Sequence, residues 1–269
     1  MGAAFVLAIL GCWIAARDRS MQTLCVGQGA TFGVLFGLGL GPWVGSWFGS
    51  WFSSDILPFV LAILAAVAAF DISNRMVRVR SASKNTYFSF LFTVLVGLSY
   101  LVSALFPSLE THMSHIFFGD LATLSNFHSG LSLVLSLIGF ILMWKFRFPF
   151  TNQAFENSVF GWNEKGHAGR RLFQTLSFIA ICYGVQFTGF LFTMGCLFIP
   201  TSIMSYSSLR GLDRHLLGAA LLASISTAVG FVLSLAFSQL PTVPTIIVVM
   251  VTLGWIFDVF LMPIRSPRL

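Results

Sequence analysis

Three groups of residues have types and spacings that could do chemistry, and in each the chemistry is metal ligation. Met21, Cys25 and Gln28 stand at i, i+4 and i+7, one face of a helix, and offer two sulfurs and an amide oxygen. The stretch SLETHMSHIFFGD carries Glu110, His112, His115 and Asp120, with His128 soon after. Two histidines three apart on a helical turn can meet one ion, and imidazole with carboxylate suits zinc. Met194, Cys196 and Met204 form a looser third group, although Met194 and Cys196 cannot face the same way on a regular helix. Soft sulfur favours Zn²⁺ or Cu(I) over Mn²⁺. Each group also has a plain reading, since methionine and free cysteine are common core fillers and loop histidines are often only solvated. Asp258 is the one acid well inside an apolar run. A carboxylate there faces an aqueous path or pairs with a basic loop residue.

Catalysis finds no such footing. The sequence has no G-x-x-x-x-G-K-[ST], no G-x-S-x-G and no H-E-x-x-H. The chain is therefore expected not to be an enzyme, and any ATP must be used by a partner. The cysteines Cys12, Cys25, Cys182 and Cys196 all fall in apolar segments without C-x-x-C spacing, which reads as buried thiols rather than disulfides.

The elements that must position these residues are membrane spans. The chain is 57% hydrophobic and 9% charged, with mean hydropathy +0.88. An all-α polytopic membrane protein is expected, with about 8–9 transmembrane helices in a single domain over 1–269. Candidate spans are 3–16, 23–44, 56–72, 87–106, 127–146, 214–237 and 243–263, with a broken or re-entrant segment at 172–207. That segment fits two short helices turning near Gln186–Gly189, or one span with a re-entrant piece; Pro200 points to a break. All fifteen Lys and Arg fall on alternate loops, beginning with Arg17 and Arg19 and ending with Arg265 and Arg268. The positive-inside rule puts those loops in the cytoplasm, the N-terminus outside and the C-terminus inside. The net charge of +6 thus faces the cytoplasm and membrane lipid rather than nucleic acid.

Two further features are organisational. Gly29, Gly33, Gly37 and Gly41 recur every fourth residue, a small-xxx-small stripe that lets a neighbouring helix approach closely. The loop at about 147–171 mixes Phe148, Phe150, Phe155, Phe160 and Trp162 with charge. It fits an interfacial amphipathic helix, or a helix inserted in a groove on a cytoplasmic partner.

In order and topology these pieces resemble the membrane permease of the ABC-3 family, the ATP-binding-cassette importers for zinc, manganese and related metals. LCVGQGATFG stands where the family has its second-span D-A-L-S-H-A-x-L-P-G stretch, and Phe118-Gly119-Asp120 matches F-G-D before the fifth span. TGFLFTMGCLFIPTSIM matches the broken segment with Gly189 and Pro200 in register, and LPTVPTIIV matches the last hairpin. The resemblance implies a permease homodimer in the bacterial cytoplasmic (inner) membrane, served by a cytoplasmic ABC ATPase and an extracytoplasmic metal-binding protein. It implies no permanently bound cofactor, transported zinc or manganese, and a coupling stretch at NQAFENSVFG that includes Ala154, Phe155, Glu156 and Gly161. One departure bears on substrate: the family's Asp position holds Leu24, its His position Gln28 and its Pro position Phe32. Met21, Cys25, Gln28, Met194, Cys196 and Asp258 are then the path candidates, and Glu110, His112, His115, Asp120 and His128 the outer-mouth ones. A self-contained, proton-coupled transporter or channel is the alternative.

Overall fold

A computed structural model of the chain describes residues 1–48, 56–79, 84–106, 109–119, 126–151, 168–206, 212–237 and 240–261. Among them all regular structure is helical. The helices are α1 (Gly2–Ala16), α2 (Ser20–Phe48), α3 (Leu57–Val79), α4 (Lys84–Leu105), α5 (Glu110–Phe118), α6 (Asn126–Lys145), α7 (Ala168–Thr188), α8 (Phe190–Tyr206), α9 (Leu212–Ala236) and α10 (Thr242–Leu261). The expected spans fall on them to within a few residues, except that α3 runs on past Asp71 to Val79. Within α2, α3, α4 and α9 lie stretches long and apolar enough to cross a membrane; five other helices carry shorter apolar stretches.

The 172–207 segment resolves into α7 and α8, and the break lies at Gly189, not at Pro200. Gly189 takes a left-handed φ of 87°, which ends α7 in the way a glycine at a helix C-terminus does. Pro200 sits inside α8, which continues to Tyr206. Proline is tolerated in a membrane helix when neighbouring groups re-satisfy the local backbone. Pro200 frees the Cys196 carbonyl; the next carbonyl, that of Leu197, accepts the Thr201 hydroxyl at 2.9 Å, and Gly11 of α1 brings its backbone against it.

The chain forms two compact units. One comprises 1–18, 120–173 and 192–269; the other comprises 19–119 and 174–191. Each is built around one interior helix. In the first unit α1 is apolar all round, as a fully enclosed helix must be. Ten of its fifteen residues are buried, and it packs on α6 and α9. Its length of about 22 Å at 1.5 Å per residue is less than the hydrocarbon thickness. In the second unit the interior helix is α2, the most buried of the four long apolar helices, which lies against α3, α4 and α5.

Candidate functional site

Because α2 is wedged between α3 and α4, its two faces have different work. Toward α3 it shows glycine. A Cβ on Gly29 would lie 2.9 Å from Ala69 Cβ, one on Gly33 would lie 2.6 Å from Ala62 Cα, and one on Gly37 would lie 2.6 Å from Pro58 Cα. The α3 surface it meets is itself small, with Ala62, Ala66 and Ala69 fully or almost fully buried. Two helices with small residues at this spacing gain dispersion contact through close backbone approach. Gly41 is buried as well.

Gln28, about 100° round the helix from Gly29, turns toward α4 instead. Its side chain is 0% exposed, and its Nε2 donates to Ser99 Oγ at 3.2 Å. Ser99 passes the chain on, donating to the Leu95 carbonyl at 2.9 Å. The Gln28 Oε1 is enclosed and has no hydrogen-bond partner among the described residues. One turn earlier, Cys25 donates its thiol hydrogen to the Phe88 carbonyl of α4 at 3.0 Å and packs with Ala69, Leu91 and Leu95. Gln22 ties the start of α2 to α3, with Nε2 2.9 Å from both Ser73 Oγ and Asn74 Oδ1.

Met21 does not join this set. It is 43% exposed, so the face expected to hold Met21, Cys25 and Gln28 together is split. Met21 lies in the first turn of α2. Met194, Cys196 and Met204 are all buried, and they belong to the other compact unit. Among the described residues no three His, Cys, Asp or Glu side chains gather closely enough to hold an ion.

The outer-mouth candidates are placed only in part. Glu110, His112 and His115 lie on α5 and His128 on α6, but their side chains, like Asp120 entirely, are outside the described residues. Asp258 lies on α10, its side chain likewise outside. The coupling candidates Ala154, Phe155, Glu156 and Gly161 are also outside. Ser99 is the residue that sequence reasoning passed over. Its signal was present: Phe88, Leu91, Leu95, Ser99 and Val102 are the buried face of α4, and serine interrupts that apolar series.

A sequence model described as the ABC 3 transport family matches residues 2–261. The chain belongs to this family. PsaBC from Streptococcus pneumoniae, solved in complex with Fab, has a similar fold: TM-score 0.74 at 16% identity, covering 95% of this chain and 86% of that one. No curated protein matches in sequence. As an ABC 3 family member with these long apolar helices, the chain is a multi-pass membrane protein and a transport subunit rather than a catalytic one. Phe118 ends α5 and Gly119 follows it, the broken segment is the α7–α8 junction, and the two meet at their glycines. A Cβ on Gly189 would lie 2.5 Å from Gly119 Cα.

Proposed function

We propose that this chain is the transmembrane permease subunit of an ATP-binding-cassette importer for a divalent transition metal, with zinc ahead of manganese. The observation that carries the reading is the family match over 2–261. The cation-bearing loops support an orientation with the N-terminus outside and the C-terminus cytoplasmic, and the resemblance to the ABC-3 importers supports a bacterial inner membrane. Two copies form the conduit, a cytoplasmic ABC ATPase pair drives it, and an extracytoplasmic metal-binding protein delivers the ion. ATP-driven closure of the ATPases rocks the helices between outward and inward openings.

Two features support zinc. The histidines His112, His115 and His128 and the buried sulfurs of Cys25 and Cys196 are borderline to soft donors. Leu24 removes the carboxylate oxygen that a harder ion such as Mn²⁺ prefers. Gln28 supplies only an amide, and half of that amide is bonded to Ser99.

The test is reconstitution with the cognate ATPase and elemental analysis of the complex, with and without Gln28→His. Metal-stimulated ATP hydrolysis with zinc retained above manganese is the expected result. Uptake that persists after ATP depletion and collapses with a protonophore would instead establish a proton-coupled carrier.

A further inference from the structure

We propose that the cleft between the 147–151 helical turn and the start of α9 binds the phosphate of an anionic lipid headgroup. The cleft has a volume of about 580 Å³ and lies wholly within one compact unit. Arg147, Phe148 and Thr151 line one side; Asp213 and Arg214, in the first turn of α9, line the other. Volumes of this size hold small-molecule groups, well beyond a single phosphate.

Its level in the membrane follows from helix length. The apolar stretch of α6, Ser129–Lys145, is about 25 Å long and ends at Lys145, where the chain leaves the hydrocarbon. The 147–151 turn then lies in the headgroup layer. Trp144 and Phe148 are both exposed there, as interfacial aromatics are.

The cationic side is held in place rather than freely solvated. The Arg147 guanidinium lies 4.7 Å from the Trp144 ring centre and 4.6 Å from that of Phe148. Stacking on two rings limits its rotamers and leaves its N–H edge to donate. The turn itself is anchored from below. Arg17 donates to the Phe150 carbonyl at 3.2 Å and stacks 3.6 Å over Phe173, while Phe150 packs edge-on against Trp13 at 5.4 Å. Among the described residues, neither Arg147 nor Arg214 is paired with a carboxylate. Asp213 subtracts one charge, but as an acid in the first turn it is also held by the helix N-terminus.

Two arginines and the Thr151 hydroxyl are chemistry for a phosphate diester, which guanidinium forks engage in bidentate fashion. A lipid rather than a free ion is the occupant because the walls continue apolar. Ile141 and Trp144 on α6 and Leu217 and Leu221 on α9 are exposed in the turns next to the cleft and offer surface for acyl chains.

Native mass spectrometry of the full chain in neutral detergent tests this, with phosphatidylglycerol, phosphatidylcholine and inorganic phosphate as probes. Phosphatidylglycerol should be retained over phosphatidylcholine. Arg147→Gln and Arg214→Gln should each weaken that retention about fivefold. Asp213→Asn should strengthen it, a gain that misfolding cannot imitate. Equal retention of both lipids, or an Asp213→Asn variant that gains nothing, overturns the proposal. Displacement by inorganic phosphate at equal concentration makes it a free-anion site instead. Arginine variants that lose a co-purifying ATPase but keep the lipid make it a partner surface, which also overturns it.

Discussion

Gly119 and Gly189 lie backbone to backbone, the second so close that a Cβ would stand 2.5 Å from the Cα and 2.6 Å from the N of the first. Both are left-handed, with φ 74° at Gly119 and 87° at Gly189. One ends α5 and the other separates α7 from α8, so two pieces of sequence 70 positions apart make a single tight junction. A side chain fits neither the torsion nor the space.

Gly189→Ala should therefore be strongly destabilising. The left-handed backbone alone costs an L-residue about 1–2 kcal/mol. The overlap adds to that, because it falls on backbone atoms rather than on the end of a flexible side chain. Gly97 on α4 is the control, since a Cβ there meets nothing within 4 Å. Gly97→Ala should match or exceed wild type, by up to about 1 kcal/mol of helix propensity. Thermal unfolding in detergent reads both, and equal melting temperatures for the two variants would remove the argument.

Along α2 the glycines differ in what opposes them, and suppressor pairs should expose the difference. At Gly29 the nearest atom to an added methyl is the Ala69 Cβ; at Gly33 it is the backbone around Leu61 and Ala62. Ala69→Gly should thus recover part of the stability lost in Gly29→Ala. Ala62→Gly should recover none of that lost in Gly33→Ala. Melting temperatures of the four variants and two doubles decide it, and rescue in both pairs would mean that α3 simply shifts away.

Much of this was legible from the sequence because membrane spans announce themselves by length and polarity. The glycine stripe announced close packing because its four-residue spacing admits few other uses. The break in 172–207 was legible, and the turn expected near Gln186–Gly189 falls at Gly189; the further break expected at Pro200 does not occur, since α8 runs through it. Sequence reading treats proline as the interrupter, whereas α8 runs through it with Gly11 packed alongside, a contact that comes from far along the chain. Met21 failed for a related reason. Helical spacing puts it on the face of Cys25 and Gln28, but only packing decides which positions on that face are covered, and Met21 is not. Ser99 was visible only as a polar interruption of an apolar face; it acquires meaning from the glutamine that reaches it.

His112 and His115 share α5, the short helix that ends at the Gly119 junction. His112→Ala with His115→Ala should raise the zinc concentration needed for half-maximal uptake while leaving the amount of folded permease unchanged. The expected loss is about tenfold or more in apparent affinity, the scale on which altering a metal site shows. Zinc-limited growth of a strain dependent on the transporter measures it, and unchanged growth takes the pair out of the path.

The buried amide of Gln28 gives the last prediction its asymmetry. Ser99→Ala strips Gln28 of its one hydrogen bond and leaves a fully buried amide wholly unpaired, at a cost of about 1–3 kcal/mol. Gln28→Leu is milder, because Ser99 keeps its own bond to the Leu95 carbonyl and the orphaned Oε1 disappears with the side chain. The double variant should be more stable than Ser99→Ala alone, a coupling that a double-mutant cycle on melting temperature reads directly. Zinc uptake separates the packing role from a ligand role. If Gln28 acts only as a tie between α2 and α4, the double variant transports as wild type does. If Oε1 touches the cargo on its way through, stability returns in the double variant and transport does not.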